Sequence, residues 1–292
     1  MKSSRVSRRH VAGALALAPC AIALRGRWAI AAGPAAASAA VVVDAYPAAA
    51  PAYAVVVDGR LTWARGLDLP RPPASLTKLL TALVLLRDPA WDDAAPVTVS
   101  ARAATVEGSQ LGLRAGESLR AGEALTALLV RSANDACVAL AEHVAGSVEA
   151  FVPRMNAAAA GLGMSGSRFG DPCGLDSAGQ RSCARDLLRL GGAALANPAI
   201  AARVRLAEAA VTTLGPAPRR LAFVNGNALV GRVDGVIGMK SGFTSRAGKC
   251  VIAVAVRGAH HVWLVMLGAE ERWWTAAGMI DAAFATLPAP GA

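Results

Sequence analysis

Seven residues in three short stretches hold the chemistry this chain can offer. Ser75 and Lys78 lie three apart in ASLTKLLTALVLL, Ser132 and Asn134 lie two apart in RSANDAC, and Lys240, Ser241 and Gly242 are contiguous in GMKSGFT. A serine hydroxyl is a weak nucleophile until a base takes its proton. Residues three apart on a helix share a face, so Lys78 can reach Ser75. Lysine serves as that base only when neutral, and burial or a neighbouring cation lowers its pKa. The apolar run after Lys78 supplies the burial. Arginine cannot serve, because its guanidinium stays protonated. Only four of the thirty Lys and Arg residues are lysines (Lys2, Lys78, Lys240 and Lys249), so lysine in two of the three stretches is a chemical choice.

Taken singly, each stretch has a plain structural explanation. An SxxK can be an accident with a snorkelling lysine. Ser132 and Asn134 can be caps at a helix break. Gly242 can be a turn. Their joint occurrence, once each and in the order SxxK, SxN, KSG, points instead to acyl transfer through a serine.

The elements that must position these residues follow from pattern. YAVVVDGRLTWARG (53–66) reads as a hairpin turning at Asp58-Gly59. Pro72 and Pro73 lead into a helix from Ser75 to about Leu86. VTVS and SQLGLRAGESL read as short strands. Residues 121–147 read as two helices broken at residues 131–134, followed by a helix over 148–161, a Gly/Ser-rich loop over 164–182 and a helix over 184–196. RVRLAEAAVTT, RRLAFVN, VIGMKSG, GKCVIAVAV and HVWLVMLG read as strands, and ERWWTAAGMIDAAFATL as a closing helix. Strands at both ends with helices between predict an α+β fold: one mainly antiparallel sheet flanked by helices, with an inserted helical region.

The formal charge of +10 is uneven. Residues 1–40 hold Lys2, Arg5, Arg8, Arg9, Arg25 and Arg27 and no acid, so the rest of the chain carries about +4. A basic stripe with interleaved aromatics is absent, which argues against nucleic acid as a partner. The basic start, the apolar run from Val11 to Leu24 and the small residues after it have the layout of an export signal, by the general secretory or the twin-arginine route. Residues 1–40 are therefore read as a leader and 41–287 as one domain. No later span is long and apolar enough to predict a membrane anchor once the leader is removed. Processing leaves Cys137, Cys173, Cys183 and Cys250. Export permits a Cys173–Cys183 bridge, but four free thiols are the expected state. No CxxC or CxxH spacing suggests a metal, and no cofactor is called for.

The three motifs resemble those of the penicillin-recognising serine acyl-transferases, and the longer stretches PRPPASLTKLLTALV, SANDACVALAEHVAGSVEAFVPRMN, LGMSGSRFGDPCGLD and GMKSGFTSRAGKCVIAVAV are similar to the D-alanyl-D-alanine carboxypeptidase family of low-molecular-mass penicillin-binding proteins. The resemblance spans roughly Tyr53 to Ala285. It implies a β-lactamase/transpeptidase-like fold, peptidoglycan stem peptides as substrate and β-lactams as covalent inhibitors. It also implies roles. Ser75 attacks the carbonyl of the penultimate D-Ala, Lys78 is the general base, Ser132 relays the proton, and Asn134 orients Lys78 and the substrate amide. Lys240, Ser241, Gly242 and Thr244 bind the substrate, with Lys240 facing the cleft and its charge helping to keep Lys78 neutral. The backbone N–H groups of Ser75 and Phe243 form the oxyanion hole. Ser241 stands where threonine is usual. The sequence ends at ATLPAPGA, so the second β-rich domain and amphipathic anchor of many members are expected to be absent.

Rival chemistries fare worse. A Ser-His-Asp hydrolase has only His143, His260 and His261 to draw on after the leader, and no GxSxG elbow. A class A β-lactamase needs a glutamate on the 164–182 loop, which has none. A non-catalytic peptidoglycan sensor would have lost some of the motif residues, and all are present. Within the family, a carboxypeptidase trimming terminal D-Ala is favoured, with a DD-endopeptidase cutting cross-links as the alternative.

Overall fold

The computed structural model describes residues 43–287, so the leader reading and the last five residues lie outside it. Strands β1 (Ala52–Val57) and β2 (Arg60–Arg65) form the expected hairpin, with Asp58 and Gly59 at positive φ in its turn. A single 3-10 turn, Ala74–Thr77, then runs straight into helix α1 (Lys78–Arg87). A helical region follows: α2 (Ala101–Thr105), α3 (Ala121–Thr126), α4 (Asn134–Ala145), α5 (Val148–Gly161), α6 (Ala184–Leu195) and α7 (Pro198–Val204), with the small strands β3 (Pro96–Thr98) and β4 (Ser118–Arg120) paired within it. The chain finishes with β5 (Glu208–Thr212), β6 (Arg220–Val224), β7 (Val236–Thr244), β8 (Gly248–Arg257), β9 (His260–Ala269) and α8 (Trp273–Ala285).

The main sheet has the order β2-β1-β9-β8-β7, and every neighbouring pair is antiparallel. Its inner strands are apolar at nearly every position because both faces are covered. On β8, Ile252 and Val254 join the core beneath the helical region, while Val251, Ala253 and Ala255 join the core beneath α8. Trp263 and Val265 of β9 point to the first core and Val262, Leu264 and Met266 to the second. Helix α1 lies inside the helical core, and all eight residues from Lys78 to Leu85 are buried. β7 is the edge strand, and its outer side is packed against the 3-10 turn that holds Ser75.

Three readings of the sequence need correction. The run from Arg203 begins in a helix rather than a strand. Asn197 caps α7 by accepting from the N–H groups of Ala199 and Ile200, and Pro198 occupies the first turn, where its missing N–H costs nothing. The stretch around Leu111 is a strap rather than a strand, because its backbone N–H groups bond to the Asp135 carboxylate instead of a sheet neighbour. β5 and β6 form a two-stranded sheet of their own rather than extending the main one. Cys137, Cys173, Cys183 and Cys250 are all buried and unbridged, as expected.

Candidate active site

The nucleophile candidate is placed by the chain just before α1. Pro73 leads into the turn, Ala74 adopts φ +49°, and Ser75 sits in the 3-10 turn itself. Side chains three apart in a 3-10 turn eclipse each other. Lys78, the first residue of α1, therefore points back, and its Nζ lies 3.0 Å from Ser75 Oγ. Lys78 is 0% exposed. Two further contacts complete its surroundings: Nζ donates to Asn134 Oδ1 at 2.7 Å and to the Cys173 carbonyl at 2.6 Å.

Both of these oxygens can only accept. A neutral lysine amine has two N–H groups and one lone pair. In that form, with its N–H groups taken by Asn134 and Cys173, the lone pair would face the Ser75 hydroxyl. The arrangement thus sets the direction in which a proton leaves Ser75. The Cys173 carbonyl had no signature in the sequence, since a backbone oxygen can be supplied by any residue type. Its loop is anchored to α1 a second time, by Thr81 Oγ1 donating to the Pro172 carbonyl at 2.6 Å.

The helix break between α3 and α4 brings in the second motif. Residues two apart on an unbroken helix point about 200° apart. Here residues 127–131 form a wider, π-type turn, Ser132 takes a left-handed conformation at φ +66°, and Ala133 is extended before α4 begins at Asn134. The break gives Ser132 and Asn134 independent directions, and both are buried. The amide of Asn134 is oriented from both ends: Oδ1 accepts from Lys78, and Nδ2 donates to the Glu107 carbonyl at 2.5 Å.

The third motif lies along β7. Gly242 packs directly against the turn of the nucleophile: a Cβ built on it would lie 2.7 Å from the Ser75 backbone nitrogen and 2.9 Å from Ala74 Cβ. That close approach brings β7 against the nucleophile turn at the residue before Phe243. The Phe243 side chain itself is 64% exposed. Arg272, just before α8, holds the strand from behind. Its Nη1 donates to the carbonyls of Gly242 (2.6 Å) and Cys250 (3.0 Å), and its guanidinium stacks 4.0 Å from the Trp273 ring.

Lys240 departs from expectation. It is only 1% exposed, and its ammonium donates to the Ser241 carbonyl at 3.0 Å. Burial pushes its pKa well below the ordinary lysine range, and the charges of Lys78 and Arg272 push it the same way. The like-charge influence of Lys78 is therefore felt at Lys240. Ser241 and Thr244 are engaged within the protein as well. Ser241 Oγ donates to the Gly226 carbonyl at 2.6 Å, and Thr244 Oγ1 donates to Asp176 at 2.8 Å while accepting from the Ala247 N–H. An open cleft of about 610 Å³ adjoins the site, lined by Glu107, Gly108, Leu175, Asp176, Phe243 and Thr244. Among the described residues no group of three or more His, Cys, Asp or Glu is placed to hold a metal ion.

Comparison with known proteins gives a consistent picture. The family model for D-alanyl-D-alanine carboxypeptidases matches residues 37–271. The chain is 34% identical over 220 residues to the D-alanyl-D-alanine carboxypeptidase DacF of Bacillus subtilis, a match covering 73% of this chain. It spans only 56% of that relative's length. It is also 34% identical over 242 residues to a D-alanyl-D-alanine endopeptidase of Escherichia coli, covering 81% of this chain and 77% of that protein. Among solved structures, a Streptomyces DD-transpeptidase superimposes with a TM-score of 0.77 at 26% identity, over 81% of this chain and 97% of that one.

Proposed function

The chain belongs to the D-alanyl-D-alanine carboxypeptidase family, and from that premise we propose that it is a serine-type hydrolase removing the terminal D-Ala from peptidoglycan stem peptides. The observation that carries the reading is the setting of Lys78: its Nζ lies 3.0 Å from Ser75 Oγ and is held by two acceptor-only oxygens, Asn134 Oδ1 and the Cys173 carbonyl, so that as a neutral amine it would turn its lone pair to Ser75 Oγ. Lys78 takes the proton as Ser75 Oγ attacks the carbonyl of the penultimate D-Ala. The developing oxyanion is held by the N–H groups of Ser75 and Phe243, a type of contact usually worth about 3–4 kcal/mol per donor. Collapse breaks the peptide bond, the leaving amine takes a proton by way of Ser132, and terminal D-Ala departs. Water, deprotonated by the same base, then releases the acyl group from Ser75. Lys240, Ser241, Gly242 and Thr244 bind the substrate's carboxylate end. Ser241 and Thr244 exchange their present partners, Gly226 and Asp176, for the substrate.

Residues 41–287 act as one catalytic unit in this reading, exported by the leader at 1–40, with β-lactams as covalent inhibitors acylating Ser75. A second reading rests on a specific observation: the endopeptidase relative is as similar as the carboxypeptidase one and is matched over more of its length. One experiment separates them. Purified protein is incubated with an uncrosslinked pentapeptide muropeptide and, separately, with a crosslinked dimer, and products are weighed by mass spectrometry. Loss of one alanine from the pentapeptide with the dimer intact is the expected result. Conversion of dimer to monomers with the pentapeptide untouched assigns the endopeptidase activity instead.

A further inference from the structure

The 107–113 strap reaches the catalytic machinery through a residue outside all three motifs. Asp135 is buried, and its carboxylate is filled by backbone donors. Oδ2 accepts from the N–H groups of Leu111 (3.0 Å), Gly112 (2.9 Å) and Leu113 (3.0 Å), and Oδ1 accepts from Leu111 (3.1 Å) and Ala136 (2.9 Å). Three successive N–H groups of the strap thus converge on one carboxylate rooted in the first turn of α4. An ionised carboxylate accepts such bonds more strongly than a neutral oxygen does.

The strap in turn fixes Asn134. The Ser109 carbonyl accepts the Asn134 backbone N–H at 2.7 Å, Ser109 Oγ donates to the Arg131 carbonyl at 3.1 Å, and the Glu107 carbonyl accepts Asn134 Nδ2 at 2.5 Å. This last bond decides which way round the Asn134 amide sits. With Nδ2 held by Glu107, it is Oδ1 that faces Lys78 at 2.7 Å. Reversed, the amide would point N–H groups at the base and remove one of the two oxygens that aim its lone pair. Gly108 allows the approach: it has φ +84°, and a Cβ there would lie 2.9 Å from Asn134 Nδ2.

We propose that Asp135 is a positioning residue for the acylation step: by clamping the 107–113 strap onto α4 it holds the Glu107 carbonyl against Asn134 and so keeps the Asn134 oxygen on Lys78. The inference deepens the serine acyl-transfer reading and rests on it. It predicts that Asp135 acts through Asn134 and not independently of it.

The test is a double-mutant cycle on full-length protein, read as the rate of acylation by a fluorescent penicillin, with folding checked by circular dichroism. Wild type and Ser75→Ala come first: labelling of the former and not the latter is required by the acyl-transfer reading, and its absence would sink that reading rather than this one. Asp135→Asn keeps one acceptor oxygen but turns an N–H toward the strap donors, so acylation should slow by about 10- to 100-fold. Asp135→Ala should slow it further. In an Asn134→Ala background the Asp135→Asn change should alter the rate by less than about twofold, because the group it positions is gone. Losses that multiply across the two sites would overturn the proposal. Gly108→Ala, which intrudes on the Asn134 amide while leaving Asp135 intact, gives a second route if the Asp135 variants do not fold. It should slow acylation in wild type and not in Asn134→Ala, and an unchanged wild-type rate would equally overturn the proposal.

Discussion

Gly242→Ala is the sharpest single test of the site, because its effect follows from distances alone. The added methyl would lie 2.7 Å from the Ser75 backbone nitrogen, 2.9 Å from Ala74 Cβ and 3.3 Å from the Leu76 nitrogen. Two of these three atoms are backbone, so no side chain can swing away to make room. Ordinary carbon contacts lie at about 3.5–4.0 Å, so β7 and the nucleophile turn must separate by roughly 0.7 Å or more. Catalytic constellations tolerate about 0.5 Å. On the proposed reading, whichever element moves, the Phe243 N–H shifts relative to the Ser75 N–H, and one oxyanion donor would be lost. Loss of one such donor costs about 10²–10³ in rate, or roughly 2.7–4 kcal/mol. The fold should survive, since β7 keeps its ladder with β8 and overpacking typically costs about 1–3 kcal/mol. The assay is stopped-flow acylation by a chromogenic β-lactam, with melting temperature as control. An acylation rate within about fivefold of wild type would refute the claim that Gly242 sets the spacing of the oxyanion hole.

Other outcomes follow from the same geometry. Lys78→Arg should reduce acylation by about 10²–10⁴, the usual worth of a general base, because a guanidinium keeps its proton; labelling of the purified variant by penicillin reads this directly. Lys240→Met should reduce turnover of a D-Ala-D-Ala peptide by at least about a hundredfold while holding or raising stability at neutral pH, since a buried ammonium is expensive and an apolar chain of similar length is not. The sign with pH is fixed. The folded pKa of Lys240 lies below its unfolded value, so between the two the unfolded chain binds the extra proton and stability rises with pH. Urea denaturation over a pH series should show that rise in wild type, and a flatter profile for Lys240→Met. Finally, thiol titration of leaderless protein at pH near 8 should find almost no reactive cysteine in the native state and four after denaturation without reductant. Burial raises Cys183, raises Cys250 to about 11 and raises Cys173 far above the ordinary thiol range. Two thiols instead of four would mean that Cys173 and Cys183 are bridged.

The sequence made the framework readable where a local signal and the tertiary environment agree. The Asp58-Gly59 turn, the helices at 148–161 and 184–195 and the apolar strands β8 and β9 all fall where pattern places them. The pairing of Ser75 with Lys78 was legible from a spacing of three, although a 3-10 turn rather than the α-helix delivers it. What stayed hidden was whatever depends on backbone groups brought together by the fold. The Cys173 carbonyl on Lys78 and the Glu107 carbonyl on Asn134 have no residue signature. The strap at 111–113 has strand-like residues, but a carboxylate 22 to 24 positions away captures its N–H groups. Lys240 was expected at an open strand end, and nothing in GMKSGFT says that the fold buries it.

That burial bears on the chemistry. Lys78, Lys240 and Arg272 lie close enough for their charges to interact, and the oxygens that Lys78 and Lys240 bond are Ser75 Oγ, Asn134 Oδ1 and backbone carbonyls, none of them a carboxylate. Like charges held together in low dielectric repel one another, and the repulsion lowers the pKa of a group able to give up its proton. Burial and these neighbouring charges push the Lys240 pKa down in the free protein. A substrate carrying a carboxylate changes the balance, because an anion beside Lys240 favours its charged form. On the proposed reading, recognition of the terminal carboxylate would thus act on the charge state of Lys240, which is a physical reason for a rare lysine to stand in the third motif.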